Sequence, residues 1–489
     1  MIRAFCLAVL LVAAPAAAAD QWIEVKTAHF TITSNAGKGP TSTLAWQLEQ
    51  MRSEAAVIWP WAQVDLNQPL VVFVLKDEQS MKALAPEFWE KKNGGNIATV
   101  WASGYQRNFL ALRTDVEQDA KRHINPYANS YFAYFSMILQ QSVPRPLPPW
   151  FARGLAAVMS NTVIDGDSVL VGPPIPRYLE EVHTGRHIPL ADLIAARRDS
   201  PLLKSDLYLF DAHAWALVHY LMFGDKGAHS KDISRFASLV AGGADPASTF
   251  GETIGKIADL ETPLAAYVDR NLFAYKALVA DAAVKREAFA VTSLPPAEAA
   301  ARRALFHVAM RRPVEARAAI EEARKAGGAP DAEVADGLLL DTDDKDGAAK
   351  AALARAVDAG TTDPYAHYRL ASLLWTRNAD KDTLTRIAAL LSKAATLNPR
   401  YAAAYDFLAQ VKSELGAEQA SGLAMRAVAL EPGNPHHHLT AARVLTNEKR
   451  FDDALKQVQI ASELADNADA AREAAEVRSW IEGRKGGGL

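Results

Sequence analysis

The sequence has one cysteine in 489 residues, at position 6. A disulfide framework and a cysteine–zinc site are therefore excluded, since both need several thiols. There is no basic excess either. Lys and Arg number 53 against 57 Asp and Glu, a formal charge of −4, which removes the electrostatic basis for nucleic acid as a main partner. Beyond the first twenty residues no window is long and uncharged enough for a membrane span of ~20 residues, so no stable membrane insertion is expected. Between Asn125 and Asp165 there is neither a histidine nor an acid, and the only charged residues are Arg145 and Arg153. What is present is a globular composition, 49% hydrophobic and 22% charged, at a length that suits two to four domains.

Residues 1–20, MIRAFCLAVLLVAAPAAAAD, have the layout of a cleavable export signal. Arg3 supplies the positive end, Ala4 to Val12 the apolar centre, and Ala17-Ala18-Ala19 the small-residue cleavage site. Removing residues 1–19 takes away Arg3 and Cys6, leaving a thiol-free chain of charge −5 that suits an oxidising compartment. The expected location is the periplasm, with secretion to the medium as the alternative.

The mature chain divides into an α+β part over 20–285, a linker at 286–296, helical repeats over 297–482 and a flexible tail at 483–489. Residues 22–34 alternate like one or two strands, Leu44 to Trp59 reads as an amphipathic helix ending at Pro60, and PLVVFVL (69–75) and NFLALR (108–113) read as strands. From Pro126 to about Tyr275 the pattern is helical, broken at PRPLPPW (144–150) and between Asp165 and Pro176. Pro295-Pro296 marks the linker.

The C-terminal part repeats. Pro330, Pro364, Pro399 and Pro432 stand 34, 35 and 33 residues apart, and Asp466 holds the next position. Twelve residues before these points are Ala318, Ala352, Ile387, Ala420 and Ala454; five before are Lys325, Ala359, Ala394, Ala427 and Ala461. Small residues in a 34-residue period are what stacked antiparallel helix pairs require. The pattern resembles tetratricopeptide repeats, in five degenerate units over about 297–467 with a capping helix from Ala468 to Glu482.

Residues 126–160 carry a second resemblance. Leu147-Pro148-Pro149-Trp150-Phe151 and Gly154-Leu155-Ala156 resemble the peptidase MA-like family of gluzincin zinc peptidases, as do AHFTITS near the start and AWALVHYLMFG (214–224). In that family a helix bearing His-Glu-x-x-His precedes the proline turn, and a glutamate on the following helix completes the zinc ligands. The resemblance thus implies a gluzincin-like lobe, a small sheet plus helices, followed by an all-α solenoid. Aligned on the proline turn, Tyr131 and Phe135 stand for the two histidines, Phe132 for the general base and Arg153 for the third ligand, while Ala157 replaces a further glutamate. Phenylalanine has no donor atom, a tyrosine must lose a proton of pKa ~10 to ligate, and an arginine repels the cation. No catalytic, cofactor-binding or metal residue is therefore expected, and no cofactor.

Other groups are weaker. His183 and His187 have i,i+4 spacing beside Glu180 and Glu181, but Gly185 and Pro189 point to a helix end. His436-His437-His438 diverge by ~100° per residue on a helix and read as surface histidines. His213 and His219 read as packing residues, as do Trp59, Trp61 and Trp89. Gly37-Lys38-Gly39 lacks phosphate-loop order. The expected function is an exported non-catalytic pseudo-peptidase whose repeat groove binds a protein or peptide. The alternatives are a hydrolase with a metal site relocated to His183 and His187, and a self-associating structural envelope protein.

Overall fold

The computed structural model describes residues 21–90, 97–116, 122, 124–418, 420–465 and 467–487. The stretch expected as an export signal, and Asp466, lie outside them.

Nine strands are described. β1 (Ile23–Lys26), β2 (Thr31–Ser34), β3 (Leu70–Leu75), β4 (Thr99–Gly104), β5 (Arg107–Arg113) and β9 (Ala290–Ser293) form a mixed sheet in the order β4-β5-β3-β2-β1-β9. β3 pairs in parallel with β2 and β5, and the outer pairs are antiparallel. β6 (Val163–Asp165), β7 (Ser168–Val171) and β8 (Lys276–Val279) form a second small sheet.

The apolar run of β3 is continuous because both of its faces are buried. Side chains alternate across a strand. Val72 and Val74, with Leu110 and Leu112 of β5, face the N-terminal helices. Phe73 and Leu75, with Phe109 and Ala111, face the repeats. On the first side the Lys38–Ile58 helix buries Leu44, Leu48, Met51 and Ala55, one stripe at helical spacing, and it stops where Pro60 disfavours a further turn. On the second side Phe306 of the Pro296–Ala309 helix inserts between Phe73 and Phe109, ring centroids 5.7 Å from each. The sheet is thus a middle layer between the helical lobe and the first repeat hairpin.

The segment 286–296, expected as a linker, is part of this layer. Its residues 290–293 are β9, paired with β1 from Ile23↔Ser293 to Lys26↔Ala290. The prolines at 295 and 296 do stop the strand, and Pro296 is the first residue of the next helix, where its missing N–H costs nothing.

The repeats are five antiparallel helical hairpins: Pro296–Ala309 with Pro313–Lys325, Pro330–Thr342 with Asp346–Asp358, Pro364–Leu374 with Lys381–Leu397, Ala402–Glu414 with Ala420–Leu430, and Pro435–Asn447 with Phe451–Leu464. Ala468–Gly486 caps the stack and runs past the expected boundary at 482, so that 483–486 are helical. The proline phase marks two different places. Pro330 and Pro364 open helices, whereas Pro399 and Pro432 stand three residues before the helices that follow them. Counting back twelve therefore finds the buried Ala352, Ile387, Ala420 and Ala454 but the exposed Ala318, and counting back five finds the buried Ala394, Ala427 and Ala461 but the exposed Lys325 and Ala359. In the first unit the packing residues are Ala316 and Ala323, two positions earlier, and in the second Ala356 packs in place of Ala359, three earlier.

Gly154 marks a close helix contact in the lobe. A Cβ there would fall 2.5 Å from the Ala214 carbonyl oxygen and 2.5 Å from Val218 Cγ2, both on the Leu207–Phe223 helix. Gly154→Ala is expected to destabilise the protein by about 1–3 kcal/mol, since backbone must move to admit the methyl group. An unchanged urea midpoint would contradict this.

Candidate functional site

The Ala128–Gln141 and Pro149–Ser160 helices pack side by side, joined by the proline turn. Their packing brings together two of the four positions singled out in the sequence. The Arg153 guanidinium lies 5.2 Å from the centre of the Phe132 ring. Tyr131 and Phe135 point into the core and are fully buried. Burial raises the Tyr131 hydroxyl far above the ordinary tyrosine range, which opposes a tyrosinate ligand. Ala157 is fully buried as well.

Arg153 is held from behind by Asp211 of the Leu207–Phe223 helix. Its Nε and Nη2 donate to the two carboxylate oxygens, the latter over 2.6 Å. Burial pushes the Asp211 carboxyl up and the arginine pulls it down, with burial prevailing. The pair places a fixed cation where the family resemblance asks for a metal ligand.

The other candidate groups do not assemble. His183 Nε2 lies 3.0 Å from the Val268 carbonyl oxygen and 3.5 Å from Asp269, while the His187 ring faces His213 with centroids 6.1 Å apart. Among the described residues no three His, Cys, Asp or Glu side chains stand close enough to hold a metal ion. Gly37, at φ 78°, precedes the Lys38–Ile58 helix and does no more than start it. Trp59 is buried, Trp61 half-buried, and Trp89 donates to Glu78 over 3.1 Å.

His213 and His219 are structural. His213 Nδ1 bonds the Leu209 carbonyl. His219, wholly buried, lies 2.8 Å from the Tyr267 hydroxyl and 2.7 Å from the Gly172 carbonyl oxygen. Burial drives its pKa down to about 4 against the Gly172 hydrogen bond. A histidine whose folded pKa is depressed gives full stability above its ordinary value near 6.5, and stability falls as pH drops from there toward 4. About 3 kcal/mol is expected to be lost across that window. His219→Gln should flatten that slope in urea titrations between pH 7 and 4; an unchanged slope would contradict the assignment.

The histidine run departs from expectation in part: His436 is exposed, but His437 and His438 are buried. Their divergence on the helix sends them to different neighbours. His437 lies 2.8 Å from Asp406 and 3.2 Å from Glu431, and His438 lies 2.8 Å from Gln457 and 3.0 Å from the Pro432 carbonyl oxygen. They fix the turn that leads into the last hairpin.

That turn closes a cavity of about 810 Å³ between the lobe and the repeats. One wall is the end of the Ala128–Gln141 helix with the proline turn: Ser136, Met137, Gln140, Pro144, Pro146 and Arg153. The opposite wall is the turn Glu431 to Pro435, and Arg198 and Leu203 stand at a third side. Gly433 is required there, since a Cβ would fall 2.3 Å from the Pro144 carbonyl oxygen. Gln141 organises the join. Its side chain donates to the carbonyls of Gln63 (2.6 Å) and Asp65 (2.8 Å) and accepts from the Asn67 amide (3.0 Å). Asn67 in turn donates to the Leu430 carbonyl (3.3 Å) and accepts from Asn398 (2.9 Å), and Arg400 pairs with Asp65 at 3.2 Å.

Electrostatically the cavity offers two cations and one anion. Arg198 is exposed and makes no ion pair among the described residues, Arg153 is backed by Asp211, and a hydrogen bond from His437 holds Glu431 below the usual carboxylate range. The proline-lined apolar stretches and the side chains of Gln140 and Ser136, which have no hydrogen-bond partner among the described residues, suit an extended polypeptide, which needs alternating apolar contact and hydrogen bonding. Gln141, Asn67 and Gly433 carried no sequence signal, because their partners lie up to several hundred residues away.

No family model matches the chain, and no curated protein matches it. Among solved structures it is similar to YrrB, described as a TPR protein with an unusual peptide-binding site, at 17% identity over 37% of this chain and 92% of that one, TM-score 0.32. It is similar to TTC0263, a thermophilic TPR protein of Thermus thermophilus, at 21% identity over 37% and 98%, TM-score 0.28. It is similar to pilF of Pseudomonas aeruginosa at 16% identity over 40% and 93%, TM-score 0.30. The stacked helical hairpins are established by this chain's own geometry. Among the described residues no helix is long and apolar enough to cross a membrane.

Proposed function

We propose that this chain is an exported, non-catalytic binding scaffold of the cell envelope, a gluzincin-like lobe without its metal ligands joined to a repeat solenoid. Lobe and repeats together hold a protein or peptide segment. The observation that carries the reading is the cavity of about 810 Å³ whose opposite walls come from the proline turn and from the Glu431–Pro435 turn. The Arg153–Asp211 pair favours binding over hydrolysis, since it puts a guanidinium beside Phe132 where a zinc peptidase needs a carboxylate and a metal.

The test has two arms. A photo-crosslinking side chain at position 140, inside the cavity, should give a discrete adduct in the native envelope, which Ser136→Trp abolishes by filling the space. The same crosslinker on the distal exposed residue Lys350 should not. Equal adducts from both positions, or none from position 140, would refute binding in the cavity. The second arm is elemental analysis of the purified protein, where stoichiometric zinc would refute the non-catalytic reading.

A further inference from the structure

A second cavity, of about 320 Å³, lies within the N-terminal lobe. It is bounded by the end of the Lys38–Ile58 helix, the Ser230–Ala241 helix and the first residue of β8. Its walls are mainly apolar, with four aromatic rings, Trp59, Trp61, Phe151 and Phe223, beside aliphatic residues such as Met222 and Ile233. Trp59 is fixed, edge-on to Phe135 with centroids 5.6 Å apart and 6.4 Å from Trp61. At ~30 Å³ per heavy atom the space holds about ten, the scale of a small amphiphile.

The lining has one charged residue, Lys276. It is exposed and makes no ion pair among the described residues. The acid that feels its charge, Glu54, is itself buried; burial and the neighbouring Asp281 raise its carboxyl, and Lys276 offsets this only in part. Two of the three serines of the wall have engaged hydroxyls. Ser234 and Ser238 donate their hydroxyl hydrogens to the carbonyls one turn back, over 2.7 Å and 3.1 Å. An apolar chamber edged by one cation with no ion-pair partner among the described residues selects a ligand with an apolar body and one negative end.

We propose that this cavity binds a small monocarboxylate amphiphile, its chain of about eight carbons against Trp59 and Trp61 and its carboxylate at Lys276. The site is independent of the cleft between lobe and repeats, and the proposal stands or falls without it.

The experiment titrates the full-length protein with octanoate and, in parallel, with octanol, reading tryptophan emission and heat of binding. Octanoate should bind saturably and octanol about fivefold more weakly. Lys276→Ala should lower octanoate affinity to the level of octanol and leave octanol unchanged; because the side chain is exposed, folding is not at risk. Ala237→Phe, which fills the chamber, should abolish both. Absence of saturable octanoate binding in the millimolar range, octanol binding as tight as octanoate, or a Lys276→Ala protein that binds octanoate like the wild type would each overturn the proposal.

Discussion

Replacing Arg107 with alanine is expected to cost about 3–5 kcal/mol of stability, because it strips the cation from a buried ionic cluster. Arg107, the first residue of β5, pairs with Asp363 at the start of the Pro364–Leu374 helix, and both side chains are buried. Asp363 also caps that helix by accepting from the Tyr365 amide at 2.9 Å. Asp331 stands beside them, accepting from Thr361 at 3.2 Å. Burial and then the charge of Asp363 push the Asp331 carboxyl up, and Arg107 restrains the rise. An acid with a raised folded pKa contributes stability below its ordinary value that is lost as pH climbs through the folded one. The Arg107→Ala protein should therefore be most impaired at neutral pH and recover partly on acidification. Asp331→Asn in the wild-type background should raise stability at pH 7, since the amide keeps the Thr361 bond without the charge. Because the sheet is shared by lobe and repeats, a single urea transition should shift as a unit. A loss below about 1 kcal/mol, the range of an exposed pair, would show that the cluster is solvated.

The second large effect belongs to His437. Burial disfavours its charge, but hydrogen bonds to Asp406 and Glu431 outweigh burial and raise its pKa to about 9. The same contacts, with His436, overcome burial of Asp406 and bring its carboxyl down to about 2. The signs run in opposite directions. The histidine contribution is complete below pH 6.5 and disappears as pH rises through about 9; the aspartate contribution is complete above 3.8 and disappears as pH falls through about 2. Wild-type stability should thus decline between pH 7 and 10. His437→Ala should cost about 3–5 kcal/mol at pH 7 by leaving Asp406 buried without its nearest cationic partner, 2.8 Å away. The variant should also lose the alkaline decline, so that the two proteins converge near pH 10. Parallel curves would show that His437 is neutral in the folded state.

Both effects sit where lobe and repeats or successive repeats meet, and neither was readable in the chain. The strands at PLVVFVL and NFLALR, the helix ending at Pro60 and the hairpins of the repeat were readable, because they rest on local periodicity and on prolines that cannot sit inside helices. The first repeat was read out of register, and the second in part, for an equally local reason. A proline is tolerated both in the turn and at the first helical position, so its spacing fixes the period but not the phase. Within the histidine run His436 is exposed as expected, but His437 and His438 were misread as surface because burial of a polar residue depends on a partner, and Asp406 lies 31 residues before His437.

At the candidate site the proline turn and Arg153 were visible from composition, but the cavity was not. A cavity needs two walls, and the second comes from residues 431–435, nearly 300 positions further along the chain. The sequence by itself determined the elements, the helical period and the absence of histidines and acids around the proline turn, all properties of neighbouring residues. Only the tertiary structure decided that 290–293 would close a sheet, that Phe306 would cover that sheet's second face, and that the repeats would curl back onto the turn at Pro144. The physical reason is that burial is a property of surfaces, not of segments. A strand with two apolar faces demands two covers, and the chain order does not say which distant helix supplies the second.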